Sequence, residues 1–227
     1  MNEQKKQVII LIGPPGSGKG TQADLLAEKF GLLHLETSKI LEEGAKNADP
    51  DDEEFIALKK AWSSGELVDP KTVVKLTLDK IKILAESGKG IVLSGSPRTL
   101  YEAERELPLL ENLFGWNNIK VFHVKLSEEE SVKRNSFRRI CRINRHPIPN
   151  FPEFEGIKKC PKDGSSIITR ELDKPEVIKV RYRTYLKETE PVIGFLKEKG
   201  YKVVEIKGEQ PIEEVFKDIA DTINGTP

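Results

Sequence analysis

A glycine-rich loop follows an apolar run near the start of the chain. Residues 13–22 read GPPGSGKGTQ, and residues 8–12 before them read VIILI. Gly13, Gly16 and Gly18 allow the backbone to curl so that its N–H groups point inward. Those donors, together with the positive end of a following helix, bind the phosphate of a nucleotide. The sequence therefore predicts a strand, a phosphate-binding loop and a helix, in that order.

The residues after the last glycine of the loop indicate which phosphates it binds. Lys19 is placed to reach the β- and γ-phosphates of a nucleoside triphosphate. The pattern G-x-x-x-x-G-K-[ST] is not met strictly, because Gly20 occupies the hydroxyl position and Thr21 comes one residue later. A glycine-rich turn with a chance lysine is the alternative. The apolar run before the loop and the helical pattern after it favour the phosphate loop.

Short apolar runs alternate with longer amphipathic segments along the chain. The expected strands are Val8–Ile12, Leu33–Leu35, Ile91–Ser94, Lys120–Leu126 and Tyr201–Ile206. The expected helices are Gly18–Phe30, Pro70–Ser87, Tyr101–Leu113, Glu128–Arg139, Glu176–Lys199 and Ile212–Ile223. Strands that alternate with helices predict a parallel sheet that is covered on both faces. We therefore expect an α/β fold with a parallel five-stranded sheet.

Two regions interrupt this alternation. Residues 37–68 carry an extra helical pattern after the second strand, and residues 141–174 contain several prolines and no clear period. Residues with motif character flank the second region on both sides, which indicates a lid-like insertion instead of a linker. We interpret residues 1–36, 69–140 and 175–227 as one core domain that carries both insertions.

Charge and hydropathy exclude several classes of protein. The chain has 37 Lys plus Arg and 37 Asp plus Glu, so its formal net charge is zero. General nucleic-acid binding is disfavoured, because it depends on many net contacts with phosphate. No stretch approaches the ~20 apolar residues that span a bilayer, and the start MNEQKKQ lacks a signal-peptide core. We expect a cytoplasmic protein with no membrane and no nucleic-acid partner, and no structural disulfide between its two cysteines.

Arginines concentrate in the second half of the chain. Arg134, Arg138, Arg142 and Arg145 are spaced 4, 4 and 3 residues apart. On a continuing helix they would share one face. A solvated basic face or an RNA contact is the alternative. The zero net charge and the phosphate loop favour a clamp for a triphosphate, because arginine is planar and permanently charged.

Further motifs fall in a fixed order along nearly the whole chain. They are GPPGSGKGTQ at 13–22, Thr37, GELV at 65–68, GSPRT at 95–99, RNSFRR at 134–139, RELDKPE at 170–176 and YLKETEP at 185–191. Together these motifs resemble those of adenylate kinases. The resemblance implies the reaction of MgATP with AMP to give two ADP. It also implies a P-loop NTPase type of core, an NMP-binding insertion at residues 37–68, a lid at residues 141–174, and a monomer.

The resemblance also implies which residues bind each substrate. On the ATP side these are Gly13, Pro14, Gly16, Ser17, Gly18, Lys19, Gly20, Thr21, Arg134, Arg138 and Gln210. On the AMP side they are Thr37, Glu42, Glu66, Leu67, Val68, Gly95, Arg98, Glu102, Arg170 and Arg181. The residues expected to stabilise the transferring group are Lys19, Arg98, Arg134, Arg138, Arg170 and Arg181. For Arg170 and Arg181, ordinary helix salt bridges to nearby glutamates are the alternative.

The sequence departs from the family pattern at the acceptor and metal positions. In TSKILE, Glu42 stands where the family has an arginine for the AMP phosphate. Ser94 replaces an aspartate that helps to position magnesium-bound water. Glu102 replaces a glutamine that reads the edge of adenine. Leu172 replaces one of two aspartates in the lid hinge.

These departures change what we expect of the activity. We expect Lys39 or Lys46 to supply the positive charge that Glu42 removes, and we expect weaker magnesium positioning and slower turnover. A carboxylate at Glu102 only accepts hydrogen bonds, which suits a guanine edge better than adenine. A kinase for GMP, CMP or UMP, or a nucleotide-binding sensor with little catalysis, therefore stay open as alternatives. The retained basic residues favour the enzyme.

The lid carries a variant of the zinc pattern that many bacterial members of the family have. The chain offers Cys141 with Asn144, and Cys160 with Asp163. Asparagine is a poor zinc ligand, and His146 lies two residues further on. One interpretation is therefore a zinc site formed by Cys141, His146, Cys160 and Asp163. The other is a metal-free knuckle that is held by hydrogen bonds.

His34 and His123 lie in or beside expected strands. Transfer of a phosphoryl group between two phosphates needs no general base. We therefore interpret both histidines as packed or surface residues and not as catalysts.

Overall fold

The fold is built around one parallel sheet. The structure is a computed structural model that describes residues 6–47, 56, 67–144, 146–148 and 154–225. The strands in these residues are β1 (Val8–Ile12), β2 (Leu33–Glu36), β3 (Ile91–Ser94), β4 (Ile119–Lys125), β5 (Arg139–Cys141), β6 (Pro147–Ile148), β7 (Ile167–Ile168) and β8 (Val203–Lys207). Strands β2-β3-β1-β4-β8, in that order, form a five-stranded sheet in which every pairing is parallel.

Helices cover both faces of this sheet. They are α1 (Lys19–Phe30), α2 (Thr37–Asn47), α3 (Pro70–Glu86), α4 (Leu100–Phe114), α5 (Glu128–Ser136), α6 (Pro175–Thr184), α7 (Glu190–Glu198) and α8 (Ile212–Asn224). Helices α1 and α8 pack on one face, and α3, α4 and α7 pack on the other. The predicted α/β fold with a parallel five-stranded sheet is confirmed.

Strand β1 is the centre of the core. Each of its five residues is at most 2 % exposed. Val8, Ile10 and Ile12 belong to the apolar cluster under α3, α4 and α7. Ile9 and Leu11 belong to the cluster under α1 and α8. The apolar run VIILI is therefore explained by burial of the strand on both faces, which is typical of parallel sheets.

Helix α5 is shorter than predicted. The expected helix Glu128–Arg139 ends at Ser136, and Arg139 already belongs to β5. The backbone at Arg139 and Ile140 pairs with β6, and Ile140 also pairs with β7, so sheet pairing replaces the helical hydrogen bonds there. The prediction that arginines 134, 138, 142 and 145 share one helix face is therefore wrong.

The expected single helix Glu176–Lys199 is interrupted. A π-helical turn at Tyr185–Thr189 separates α6 from α7, and the N–H group of Glu190 bonds to the carbonyl of Tyr185 five residues earlier. Pro191 lies in the first turn of α7. Proline has no N–H group to offer to the carbonyl four residues before it, which explains why the helix widens by one residue at this point.

Residues 139–168 contain a second, smaller sheet. Strands β6-β5-β7 pair antiparallel in that order. The sequence did not predict these strands, because strands of two or three residues are too short to show a period. Cys141, Ile148 and Cys160 form a small apolar cluster beneath them. The division of the chain into a core, an NMP-binding insertion and a lid stays a prediction.

In the part of the chain that the structure describes, no helix is long and apolar enough to cross a membrane.

Candidate functional site

The glycine-rich loop lies at the carboxyl end of β1 and leads into α1. Gly16 and Gly18 have φ angles of 77° and 87°, which favour glycine. A Cβ atom at Gly13 would lie 2.3 Å from the backbone oxygen of Val124, so only glycine fits against the end of β4. The helix begins without a side-chain cap at Gly18, so its first N–H groups are available to an anion.

Helix α5 holds the other side of the loop. The Ser131 hydroxyl donates to the carbonyl of Pro15 at 2.6 Å. A Cβ atom at Gly16 would lie 2.3 Å from the Asn135 amide nitrogen, so Asn135 packs directly against the loop. Both side chains are fully buried. Ser131 and Asn135 were not predicted from the sequence, although their spacing of four residues places them on one face of the helix that carries Arg134.

Lys19 lies across the mouth of the loop. Its Nζ donates to the carbonyls of Gly13 at 2.6 Å and Pro14 at 2.8 Å, and to the Ser17 hydroxyl at 3.1 Å. Burial, with the nearby charges of Arg98 and Arg181 acting in the same direction, lowers the pKa of Lys19 to about 7. A bound phosphate would remove this penalty, because an opposite charge favours the protonated amine.

Two depressions adjoin Lys19. We call the first the large cleft. It has a volume of about 820 Å³ and is lined by the phosphate loop, the first turn of α1, Arg134 and Arg138. We call the second the small pocket. It has a volume of about 170 Å³ and is lined by Thr37, Leu67, Val68 and Glu102 among others. Nucleotide-sized sites fall in the range of roughly 300–1,000 Å³, which the large cleft meets.

Four cations lie where the large cleft meets the small pocket. Lys19, Arg98, Arg170 and Arg181 line both of them. Burial lowers the pKa of Arg98, with Glu102 and Glu36 acting in the opposite direction. Burial, with the charges of Arg170 and Arg98 acting in the same direction and Asp173 acting against them, also lowers the pKa of Arg181 to about 10. So many cations in a half-buried place favour a polyanionic ligand.

Asp173 is the counter-charge for three arginines, Arg138, Arg170 and Arg181, which we call the arginine group. Its carboxylate accepts from Arg138 at 2.7 and 3.1 Å and from Arg170 at 3.0 and 3.1 Å. Arg181 approaches the same carboxylate at 3.8 Å and donates to the Leu172 carbonyl at 3.3 Å. The arginines were predicted from the sequence, but their shared contact with Asp173 was not. The R-x-x-D spacing from Arg170 was the available signal.

The remaining residues predicted to bind ATP do not all line the large cleft. Arg134 lines the large cleft, and its guanidinium donates to Glu130 at 2.9 Å and to the Gly208 carbonyl at 2.7 Å. Gln210 lies in the loop after β8 and donates to Asp218 at 2.6 Å, outside the described lining of both depressions. Arg142 is exposed in the turn after β5, and residue 145 lies outside the described residues.

Thr37 and Gly95 shape the small pocket. The Thr37 side chain is 3 % exposed, and among the described residues its hydroxyl has no hydrogen-bond partner. Gly95 has a φ of 97°, and a Cβ atom there would lie 2.9 Å from the Arg98 guanidinium. Only glycine therefore lets Arg98 fold back over this pocket. Leu67 and Val68 line the pocket, whereas residue 66 lies outside the described residues.

Glu42 lines the large cleft and is not among the described residues that line the small pocket. Lys39, one of the two lysines expected to compensate for it, lies beside the same cleft and pairs with Glu36 at 3.3 Å. The side chain of residue 46 lies outside the described residues. The lysine compensation stays a prediction.

Glu102 has a structural role as well as a place in the pocket lining. The Glu102 N–H group donates to the Thr99 hydroxyl at 3.2 Å. In return the Glu102 carboxylate accepts from the Thr99 hydroxyl at 3.2 Å and from the Arg98 N–H group at 2.7 Å. This exchange is a variant of the capping box at the start of α4, in which the carboxylate accepts from the residue before the N-cap. The helix terminus therefore fixes the orientation of the carboxylate that lines the small pocket.

A second buried carboxyl lies behind Glu102. The Ser96 hydroxyl is 3.2 Å from one Glu102 oxygen and 2.5 Å from one Glu106 oxygen. Within the described residues, the other Glu106 oxygen is buried without a partner. Burial raises the pKa of Glu106 to about 8, the Ser96 hydrogen bond acts against this, and the Glu102 charge adds to it. With this pKa the Glu106 carboxyl is mostly protonated at pH 7, and the Ser96 hydroxyl bridges it to the Glu102 carboxyl.

The zinc candidates of the lid lie together. One ligand atom from each of Cys141, His146, Cys160 and Asp163 lies within 4.8 Å of the others. The Cys141 sulfur is 3.1 Å from an Asp163 oxygen, and each sulfur is 3.5 Å from His146 Nδ1. Asn144 does not join the group as a ligand but donates to Asp163 at 2.9 Å. Two sulfurs, one nitrogen and one oxygen suit tetrahedral zinc.

The large cleft also offers oxygen ligands for magnesium. Hydroxyl and carboxylate groups line it beside the phosphate loop, and they belong to Thr21, Asp24, Glu36, Glu42, Glu43 and Ser94. Magnesium prefers oxygen ligands, keeps several waters and reaches proteins through few direct contacts. The donor set therefore fits a magnesium ion that is bound with a nucleotide.

The chain is similar to known adenylate kinases along most of its length. The family model for adenylate kinase matches residues 11–201. The adenylate kinase of Elusimicrobium minutum is 39% identical over 220 residues, which cover 96% of this chain and 98% of that protein. The adenylate kinase of Oceanobacillus iheyensis is 36% identical over 93% of this chain and 96% of its own length. That of Methanothrix thermoacetophila is 34% identical over 95% and 98%.

The buried carboxyl of Glu106 generates a pH prediction. A carboxyl in an unfolded chain titrates near pH 4.3, whereas the folded pKa is about 8. Between these values the folded chain binds one more proton than the unfolded chain, so stability falls as pH rises. We expect Glu106→Gln to flatten this fall by on the order of a few kcal/mol between pH 5 and 8.5.

Chemical denaturation at several pH values measures this effect. Glu104→Gln is the matched control, because Glu104 is exposed on the same helix. In the control, the free energy of unfolding should fall with pH as steeply as in the original chain. The same slope in Glu106→Gln as in the original chain would contradict the assignment.

Proposed function

The chain belongs to the adenylate kinase family, and we propose that it transfers the γ-phosphoryl group of ATP to AMP. Membership of this family makes it a nucleoside monophosphate kinase, a phosphotransferase that uses ATP with Mg²⁺. The observation that carries the proposal is the place of the cations. Lys19, Arg98, Arg170 and Arg181 line both the large cleft and the small pocket. A phosphoryl group that passes from one to the other crosses the space between them.

The proposed reaction is an in-line displacement. An oxygen of the AMP phosphate forms a bond to the γ-phosphorus of ATP, and the bond from that phosphorus to the β–γ bridging oxygen breaks. The attacking oxygen is already ionised, so no general base is required. The protein contributes alignment of the two nucleotides and neutralisation of the charge that spreads over the γ-oxygens. Magnesium bound beside Thr21, Asp24 and Ser94 in the large cleft would neutralise part of that charge.

Each basic residue has a distinct part in this proposal. Lys19 and the loop N–H groups bind the β- and γ-phosphates of ATP. Arg134 and Arg138, which line the large cleft, hold the ATP phosphates and border the adenine. Arg98 holds the phosphate of AMP in the small pocket, where Gly95 lets it approach. Arg170 and Arg181 face both nucleotides and stabilise the transferring group.

Water must be kept from the γ-phosphate, because hydrolysis competes with transfer. We assign this task to the two insertions, residues 37–68 and 141–174. Their residues already border the site, since Thr37 and Arg170 line the small pocket. Closure of both insertions over bound nucleotides would complete the arginine group before transfer and then limit the release of product.

Arg181→Ala and Arg183→Ala test the role of the arginine group. Both residues lie on α6, but Arg183 is exposed and Arg181 lines the site. We expect Arg181→Ala to lower kcat by about 10²–10³-fold, because a preorganised cation for the transition state is lost. Arg183→Ala should stay within about twofold of the original chain. Equal kcat values for the two variants, measured by ADP formation, would overturn this assignment.

The acceptor is tested in the same assay. MgATP is incubated with AMP, GMP, CMP or UMP, and diphosphate formation is measured. We expect product from AMP. The Glu102 carboxylate, which only accepts hydrogen bonds, favours GMP as the second candidate. Product from GMP, CMP or UMP in place of AMP would keep the kinase and replace the acceptor, and ATP binding without any product would indicate a nucleotide sensor.

We also propose that the lid binds zinc through Cys141, His146, Cys160 and Asp163. The four ligand atoms lie within 4.8 Å of one another: Cys141 ends β5, His146 precedes β6, and Cys160 and Asp163 precede β7. Such a site would stabilise a region whose own apolar cluster is small. In this proposal the zinc is structural and takes no part in phosphoryl transfer.

Metal analysis of the purified protein tests the zinc site. We expect about one equivalent of zinc, because a closed tetrahedral site binds one ion. Cys160→Ser should lose the metal. Asn144→Ala should keep it, since Asn144 only donates to Asp163. Less than about one-tenth of an equivalent in the original chain would leave the hydrogen-bonded knuckle as the interpretation.

A further inference from the structure

Three side chains from separate elements form a chain of hydrogen bonds beside the phosphate loop. Asp24 lies on α1, His34 on β2, and Ser94 is the last residue of β3. His34 Nδ1 is 2.7 Å from an Asp24 oxygen, and His34 Nε2 is 2.6 Å from the Ser94 hydroxyl. The His34 side chain is 10% exposed and Ser94 is 5% exposed, so the bond between them is largely shielded from water, whereas the Asp24 end of the chain is open to solvent.

The direction of these bonds follows from the carboxylate. An ionised aspartate only accepts hydrogen bonds, so Nδ1 of His34 carries the proton that it donates to Asp24. In the neutral imidazole the other ring nitrogen, Nε2, is then an acceptor. With His34 neutral, the Ser94 hydroxyl donates its single proton to Nε2. Its oxygen is left with lone pairs alone.

Ser94 lies at the place where a P-loop enzyme needs such an oxygen. It pairs in register with Leu11 of β1, two residues before the phosphate loop begins. It lines the large cleft together with Lys19 and Thr21. In P-loop enzymes the magnesium beside the phosphates is held by a loop hydroxyl and by an acidic residue from another strand. Here the corresponding strand is β3, and its last residue, Ser94, offers a hydroxyl group instead.

We propose that Asp24, His34 and Ser94 act as one unit that replaces the missing carboxylate and accepts hydrogen bonds from water bound to the magnesium of MgATP. His34 removes the donor character of Ser94, and Asp24 holds His34 in the tautomer that does so. Asp24 and His34 are therefore positioning residues that act through Ser94. The inference rests on ATP as the donor and does not depend on which nucleotide is the acceptor.

A simpler role must be distinguished from this one. The same bonds tie α1, β2 and β3 together, and Asp24 could attract magnesium through its charge alone. The charge is partly compensated, because Lys39 and Lys162 both interact with Asp24 electrostatically. The test must therefore separate an effect that passes through the Ser94 hydroxyl from one that does not.

Asp24→Asn is the informative variant. An asparagine amide can donate to Nδ1 of His34. The ring proton then lies on Nε2, so His34 donates to Ser94 instead of accepting from it. The serine hydroxyl then points its proton into the cleft. The Asp24 side chain is 58% exposed, so the change should not disturb folding. Thermal unfolding of each variant checks this.

The measurement is the dissociation constant of ATP with and without Mg²⁺, determined by calorimetry in the absence of acceptor. We expect Mg²⁺ to tighten ATP binding in the original chain. Asp24→Asn and Ser94→Ala should each reduce this tightening by about tenfold, the scale of one hydrogen bond to a charged group. Asp79→Asn, an exposed aspartate on α3, should leave it unchanged.

The double variant decides between the two roles. If Asp24 acts through Ser94, Asp24→Asn in the Ser94→Ala background should change the tightening by less than about twofold. A further tenfold loss there would show that Asp24 acts by charge alone and would overturn the proposal. Unchanged tightening in both single variants would also overturn it while leaving ATP as the donor. Failure of the original chain to bind ATP at all would overturn the proposed function itself.

Discussion

The Asp173 carboxylate is the interaction on which the cationic site depends. It is 4% exposed, and Arg138, Arg170 and Arg181 surround it. Without it three guanidinium groups would face one another in a half-buried place, with no partner to offset their desolvation. With it they are held together at the edge of the large cleft. The entropy of ordering the arginines is then lost during folding and not during binding.

The sheet and the phosphate loop could be predicted because both are set by short stretches of sequence. A parallel strand that is buried on both faces must be apolar throughout, and VIILI meets that demand alone. The loop needs backbone conformations that glycine provides, and Gly16 and Gly18 adopt them. The cationic residues followed from the resemblance, and Lys19, Arg98, Arg170 and Arg181 do line one place.

What could not be predicted depends on residues far apart in the chain. Arginines spaced by four suggested a longer helix, but Arg139 pairs with a strand nine residues on, and no local pattern announces that pairing. From the sequence, Asp173 is one of two aspartates of the family pattern, of which only this one is retained. Its role in joining the arginines becomes clear only from the structure, where Arg138, 35 residues earlier, donates to the same carboxylate. Asn135 likewise supports Gly16 across more than a hundred residues.

The two serines around Gly95 show how a weakened motif can be rebuilt from outside it. A serine hydroxyl has one proton, so the neighbour that accepts it decides what the oxygen presents to the site. The Ser96 hydroxyl bridges the Glu102 and Glu106 carboxyls, and burial raises the pKa of both. At Ser94 the neighbour is His34, which carboxylate Asp24 orients. In both cases the buried neighbours of the serine decide whether its oxygen donates or accepts a hydrogen bond. Judging such a substitution from the motif alone therefore underestimates what the site retains.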